Sequence, residues 1–205
     1  MNPLILQYQK DFQHEAGCDE AGRGCLAGPV VAAAVILDPS KPIAALNDSK
    51  QLSLKKRLSL REEILEKALA FGIGVVDHQQ IDQINILNAS ILAMHKALQQ
   101  LSITPGFILV DGNRFKPYEQ IPHACMVKGD ARFASIAAAS ILAKTQRDKL
   151  MNDLHAKHSA YGWNRNQGYP TKEHRAAIAS KGPSPYHRMT FQLLARDVQP
   201  KLFND

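Results

Sequence analysis

Apolar positions in this chain gather into short dense runs and longer periodic stretches. Pro29 to Leu37 (PVVAAAVIL) is an unbroken run of small and β-branched residues, the composition of a strand buried on both faces. Phe71 to Val76 and Phe107 to Val110 repeat that signal between turn residues, and His14 to Asp19 and His123 to Val127 carry it more weakly. The close spacing of His14–Asp19 and the run from Val30 predicts an antiparallel pair. A helix is predicted from about Ser53, its N-cap, with Leu54, Leu58, Leu65 and Leu69 on the core face and Lys55, Lys56, Arg57, Glu62 and Glu63 in solvent. Asn85 to Leu101 is the clearest helix: Leu87, Ile91, Met94, Leu98 and Leu101 recur at spacings of four and three. Gly129-Asp130 opens an alanine-rich helix from Ala131 to about His155. From Ala160 onward the chain is basic and broken by Gly and Pro, predicting short helices and loops packed on one side of the sheet. After the first hairpin, strands and helices alternate, which indicates an α/β layer with a mixed sheet.

The 205 residues suffice for one sizeable core, and 45% hydrophobic with 21% charged content describes an ordinary globular protein. The longest apolar run is too short to span a bilayer, so no membrane partner is expected. The N-terminus lacks the layout of a signal peptide. Three cysteines (Cys18, Cys25, Cys125) with no C-x-x-C spacing argue against a disulfide framework or structural zinc. The cytoplasm is the simplest compartment, and nothing demands more than a monomer. A formal charge of +6 is compatible with a polyanionic partner and does not require one.

Candidate chemistry starts at Asp19-Glu20, followed at once by Ala21-Gly22-Arg23-Gly24. An Asp-Glu pair is ordinarily solvated surface, but this one lies between two core strands. Adjacent carboxylates repel unless a cation or donor compensates them, and oxygen-only ligands suit Mg²⁺ or Mn²⁺. Strand geometry points Glu20 away from Asp19 unless the strand ends there, as the glycines suggest. Asp111 directly follows four apolar strand residues, where α/β sheets build sites; an Asp-Gly turn is the plain alternative. Asp130 reads either as a site acid or as a helix N-cap, and Asp148 is the substitute for it, unless it merely pairs with Lys144 four residues earlier. No His or Cys cluster competes. Four converging carboxylates could hold two cations of the kind that cleave phosphodiesters, with Arg23, Lys50, Lys144 and Arg188 supplying a positive field.

These residues carry a resemblance. Asp19-Glu20-Ala21-Gly22-Arg23-Gly24, Asn47-Asp48-Ser49-Lys50-Gln51-Leu52-Ser53, Val110-Asp111-Gly112, Lys128-Gly129-Asp130, Ser135 to Lys144 (SIAAASILAK), Gly168-Tyr169-Pro170-Thr171 with His174, and Ser184-Pro185-Tyr186-His187-Arg188 resemble the ribonuclease HII family. The blocks appear in family order from about Gly17 to Phe191. The resemblance implies a ribonuclease H-like α/β fold, with a five-stranded mixed sheet flanked by helices and a helical C-terminal part. As one domain over 1–205, it would comprise a core over about 1–155, the helical part over about 156–198 and a tail over 199–205. It implies cleavage of RNA in RNA–DNA hybrids, and cleavage 5′ to single ribonucleotides in duplex DNA, leaving a 3′-hydroxyl. Carried over by position, Asp19, Glu20, Asp111 and Asp130 are the metal-binding carboxylates for Mn²⁺ or Mg²⁺. Gly22, Arg23 and Gly24 read the 2′-hydroxyl and Tyr169 packs at the RNA-to-DNA junction; Lys50 and Arg188, from the positive field, are the further candidates to bind substrate. One departure is Gln167, where the family commonly has lysine, so a phosphate contact is missing or comes from Arg165. The absence of a long N-terminal extension separates the chain from the related ribonuclease HIII.

Three other readings are weaker. Gly22-Arg23-Gly24-Cys25-Leu26-Ala27 imitates a dinucleotide fingerprint, but it leads into β-branched residues and not a helix. A binder without activity would not need mutually repelling acids at all four positions. A DNA-only nuclease of the same superfamily would not need the Gly22-Arg23-Gly24 loop with Tyr169. In the tail, Gln199-x-x-Leu202-Phe203 is similar to the short motif by which bacterial repair proteins bind the sliding clamp; folding back onto the core is the alternative for Leu202 and Phe203.

Overall fold

A computed structural model describes residues 4–43, 45–46 and 53–194. Five strands, β1 (Glu15–Ala21), β2 (Val30–Ile36), β3 (Ala70–Val76), β4 (Phe107–Asp111) and β5 (His123–Met126), form one sheet in the order β3-β2-β1-β4-β5. The β1/β2 and β2/β3 pairs are antiparallel, and β1/β4 and β4/β5 are parallel. This is the expected five-stranded mixed sheet. Every residue of β2 is buried, as its unbroken apolar run requires.

Helices α1 (Leu54–Lys67), α2 (His78–Gln99) and α3 (Ala134–Lys157) flank the sheet. The first half of α3 is buried on all sides, which explains why it is alanine-rich and shows no amphipathic stripe. It packs so closely on β1 that a Cβ at Gly17 would fall within the backbone of Ser135 and Ile136. α2 covers the opposite face, where Ala16, Cys18, Ala32, Ala34, Ile108 and Val110 join its Ala93, Met94 and Leu98 in one core.

The helices depart from the sequence pattern in three places. α1 begins at its Ser53 cap as expected, but it buries Leu60 and Ile64 and leaves Leu54 and Leu58 exposed. Its inner stripe is Arg57, Leu60, Arg61 and Ile64. Arg61 donates to Thr145 Oγ1 (2.9 Å) and Gln146 Oε1 (3.0 Å) of α3, so two charged positions occupy a face that apolar periodicity assigned to leucines. α2 starts seven residues before Asn85. Asn85 itself is non-helical (φ 65°), and its side chain caps Leu87 and Asn88 at 3.0 and 3.1 Å. The preceding turn is held by tertiary contact: Asp82 accepts the amides of Met189 and Thr190 and the Thr190 hydroxyl. Finally, α3 begins at Ala134 and not Ala131. A separate 3-10 turn, Gly129–Ala131, precedes it, so Asp130 is not its N-cap; the Ala134 amide donates instead to the Ile5 carbonyl (2.9 Å).

The C-terminal region carries α4 (Trp163–Asn166) and α5 (Lys172–Lys181) and docks on the loop between β1 and β2. Leu26 donates to the Gly168 carbonyl (2.7 Å), Gly28 to Tyr186 (3.0 Å), and Arg188 to Leu26 (2.8 Å). Its core is Trp163 stacked on Tyr161, with ring centroids 5.2 Å apart. Among the described residues no helix is long and apolar enough to cross a membrane.

Two buried histidines tie this region together, and their tautomers follow from their partners. Trp163 Nε1 can only donate, and it lies 3.0 Å from His174 Nε2. His174 therefore carries its proton on Nδ1, donated to the Tyr169 carbonyl at 2.9 Å. His187 Nε2, 3.1 Å from the same His174 nitrogen, must also be a donor, and His187 Nδ1 accepts the Ser184 amide at 2.8 Å. Burial pushes both rings below the usual histidine range, His187 to about 4 with His174 beside it as a second cause. The unfolded chain then binds more protons than the folded one between about pH 6.5 and the depressed values. The network's contribution is thus complete above that window and is lost as pH falls through it. Nitrogen–proton correlation spectra near neutral pH should show His174 protonated at Nδ1 and His187 at Nε2. A ring titrating at its ordinary value would contradict this arrangement.

Candidate active site

The ends of β1 and β4 open into a cavity of about 250 Å³. Cys18 pairs with Val110 in the parallel register, so the next residues, Asp19 and Asp111, fall side by side where the β1/β4 pairing ends. β1 continues to Ala21, two residues beyond Asp19, and does not end at the acid pair as expected. Glu20 still lines the cavity because it lies past the last β1 residue paired with β4, where no neighbouring strand walls it off. Arg23 pairs with it (Nη1 to Oε1, 3.0 Å).

The carboxylates are held and also strained electrostatically. Asp19 Oδ1 accepts the Glu20 amide (2.7 Å), and the Ser140 hydroxyl and that amide both favour its charged form. Burial, then the charges of Glu20 and Asp111, push its carboxyl well above the ordinary range. Burial raises Glu20 as well, partly offset by Arg23. Asp111 Oδ1 accepts the Gly129 amide (2.7 Å), which ties the Lys128-Gly129-Asp130 turn to the site. Asp130 sits in that turn, 2% exposed, and is not among the residues lining the cavity. Three of the four expected acids therefore share the cavity, and the fourth lies in a turn bonded to one of them.

Among the described residues, no three His, Cys, Asp or Glu side chains are arranged to hold a metal ion by themselves. The donor set nevertheless fits a hard divalent cation. It consists of carboxylate oxygens whose mutual repulsion such an ion would relieve, and Mg²⁺-type sites leave part of the shell to water and phosphate.

The glycine-rich loop forms one wall. Gly22 has φ +96°, and a Cβ there would strike the Arg147 guanidinium, so both conformation and space demand glycine. Tyr169 lies against this wall, where burial, with the Cys25 thiol nearby, pushes its hydroxyl above the ordinary range. Lys144 and Asp148 of α3 also line the cavity, and Asp148 pairs with Arg57 of α1 at 4.0 Å. Arg165 projects into solvent and pairs with Glu173 at 3.5 Å, while Gln167 turns its amide onto the Asn164 carbonyl (3.2 Å).

Arg188 is a correction. Expected to contact substrate, it is fully buried and its guanidinium donates to the carbonyls of Gly28, Arg23 and Pro29 at 3.0, 3.0 and 3.1 Å. It does not line the cavity and cannot reach a phosphate there, because the β1–β2 loop folds over it. Arg147 went unnoticed in the sequence, yet it plays a matching part beneath the same loop; its only signal there was its place on the α3 face that also carries Ser140 and Lys144. Lys50 lies outside the described residues, as do Gln199, Leu202 and Phe203 of the tail.

A mixed five-stranded sheet with flanking helices and an acid cluster where β1 and β4 end defines a ribonuclease H-like enzyme. The chain belongs to the ribonuclease HII family, whose model, described as Ribonuclease HII, matches residues 16–194. It is 59% identical over 196 residues to the Ribonuclease HII of Phocaeicola vulgatus, covering 96% of this chain and 98% of that one. Its fold is similar to that in a structure of the PCNA:RNase HII complex from Archaeoglobus fulgidus, with TM-score 0.74 and 27% identity over 90% of this chain and 98% of the other. Bst-RNase HIII in complex with Mn²⁺ shares the fold at TM-score 0.65 and 21% identity, over 88% of this chain and 67% of that one. The chain is thus an endonuclease that cleaves RNA in RNA–DNA hybrids.

Proposed function

We propose that this enzyme also incises duplex DNA on the 5′ side of a single embedded ribonucleotide, leaving 3′-hydroxyl and 5′-phosphate ends. The carrying observation is that the Gly22-Arg23-Gly24 loop and Tyr169 line the same cavity as Asp19, Glu20 and Asp111. The 2′-hydroxyl is the one group that separates ribose from deoxyribose at a single nucleotide, and an exposed backbone at Gly24 can approach it closely. Asp19, Glu20 and Asp111, with Asp130 from the adjoining turn, would hold divalent ions, Mg²⁺ or the Mn²⁺ seen with the HIII neighbour. Two such ions, when bound, supply activation of the attacking water and stabilisation of the leaving oxygen. The chain's own residues place the scissile phosphate: the loop holds the ribose, Tyr169 the neighbouring sugar, and Lys144 adds positive charge beside the acids. The decisive assay compares a duplex carrying one ribonucleotide with an all-DNA control in Mg²⁺, Mn²⁺ or EDTA. Cleavage should require both the ribonucleotide and the metal; cutting of the control, or none of either, refutes the reading.

Tyr169→Ala should lower turnover at the single ribonucleotide toward about a hundredfold, the scale of a misplaced substrate. Duplex affinity should stay within about threefold, because phosphate contacts dominate it. An equal loss in binding would count against a positioning role.

The tail adds a partner. Gln199, Leu202 and Phe203 dock the enzyme on the sliding clamp, a reading supported by the motif and by the PCNA complex of the archaeal neighbour. Tethering would raise local enzyme concentration on new DNA without altering the active site. The double change Leu202→Ala with Phe203→Ala should abolish clamp binding and leave cleavage of free duplex unchanged. A wild-type protein that fails to bind the clamp at micromolar concentration removes the proposal.

A further inference from the structure

Two guanidinium groups lie under the loop that lines the active-site cavity. Arg147 donates to the carbonyls of Pro29 (3.0 Å), Gln167 (2.8 Å) and Ala27 (3.2 Å). Arg188 donates to Gly28, Arg23 and again Pro29. Both side chains are buried, at 2% and 0% exposure, and among the described residues neither has a carboxylate within ion-pair distance. Burying two neighbouring cations against carbonyl dipoles, with the Phe191 ring 5.1 Å from the Arg188 guanidinium as the one further partner of that group, is unfavourable, and an apolar pair would pack the same space at less cost. Burial and the nearby Arg147 charge lower Arg188 only to about 10, so it remains protonated at neutral pH.

The bonds have a directional consequence. In a trans peptide the C=O and the following N–H point in opposite directions, and the described chain has no cis peptide. Drawing the Arg23 carbonyl inward onto Arg188 therefore turns the Gly24 N–H outward. Gly24 is exposed, with open space where a side chain would be. Arg147 acts on the other side of the loop: its guanidinium fills the space that a Gly22 side chain would need, and it grips Ala27 and Pro29, where the loop runs into β2.

We infer that Arg147 and Arg188 are positioning residues for ribose recognition, locking the peptide planes of residues 22–29 so that the Gly24 amide is presented as a fixed donor to the 2′-hydroxyl. This rests on the proposed reading of that loop as the ribose-reading element. A donor fixed in place discriminates far better than a mobile one, because deoxyribose leaves it unpaired and the loop cannot turn to satisfy it elsewhere. The forked shape is needed as well as the charge: a lysine ammonium keeps the cation but cannot reach three carbonyls lying in different directions.

The test is Arg188→Lys, with Arg147→Lys as its counterpart, assayed on a duplex with one ribonucleotide and on a continuous RNA–DNA hybrid. The expected result is a fall in kcat of about tenfold or more on the single-ribonucleotide duplex, with KM held and a smaller loss on the hybrid, where every neighbouring nucleotide offers a 2′-hydroxyl. An equal loss on both substrates, tracking a lowered melting temperature, would reduce the arginines to structural supports and overturn the inference. A variant with wild-type rates would do the same. A measurement on the unaltered protein decides the matter even if the variants do not fold. In EDTA, the Gly24 amide resonance should shift on binding the ribonucleotide duplex and not on binding the all-DNA duplex; equal shifts overturn the proposal. Failure of the wild-type enzyme to cleave the single-ribonucleotide duplex is a different result, and it refutes the functional reading itself.

Discussion

Asp111→Asn should abolish cleavage while the protein stays folded. The substitution keeps the side-chain shape, and the asparagine oxygen can still accept the Gly129 amide that holds the 128–130 turn beside the site. What it removes is one negative charge from the group that would bind the metal. The loss should exceed the roughly 10–100-fold that removing an outer partner of a metal site brings. Stability in EDTA should be unchanged or raised, because the Asp111 charge is one of the causes that push Asp19 upward. Turnover in Mg²⁺ and thermal melting in EDTA check the two halves separately. Near wild-type turnover would show that Asp111 is not part of the metal site; a large drop in melting temperature would show that its role is structural.

Gly17→Ala should have the largest effect on stability. Gly17 lies in β1, two residues before Asp19, and the added Cβ would meet backbone atoms of Ser135 and Ile136, which cannot move aside as a side-chain tip could. Relief requires α3 to lift from the sheet, and α3 carries Ser140, Lys144 and Arg147 into the cavity. Overpacking of this kind costs about 3 kcal/mol or more. For a chain of this size that corresponds to a fall in melting temperature of about 6–12 °C. Activity should fall with it, since the acids of β1 and their α3 partners would no longer be in register. A variant melting within about 2 °C of wild type, under a kcal/mol by the same scaling, would mean that the packing between β1 and α3 is looser than described.

The strands and the first acids were legible in the sequence for a simple reason. An apolar run that stops abruptly at a carboxylate, as Phe107–Val110 does before Asp111, encodes both a buried strand and its end. The leucine, isoleucine and methionine stripe of α2 was legible in the same way, but its expected start was not: the helix begins at His78, and Asn85 is a non-helical residue within it. The order of the motif blocks carried the family. Glu20 was placed correctly at the cavity on an incorrect premise: β1 runs on to Ala21, and Glu20 reaches the site because β4 stops short of it.

Hydrophobic periodicity could not reveal where buried charges go. It assigned the inner face of α1 to Leu54 and Leu58, whereas Arg57 and Arg61 take that face through polar and ionic contacts with α3. The reading of charge and motif placed Arg188 at the substrate and gave Arg147 no part. Both lie buried because carbonyls of the β1–β2 loop, more than a hundred residues away in the chain, complete their hydrogen bonds. A guanidinium can be buried only when such partners exist, and carbonyls belong to every residue, so no residue type signals their presence. The sequence alone determined which side chains could do the chemistry and which runs would bury. The folding of the 22–29 loop over two arginines was decided by tertiary structure, because it depends on the directions of peptide planes that only the assembled layers hold in place.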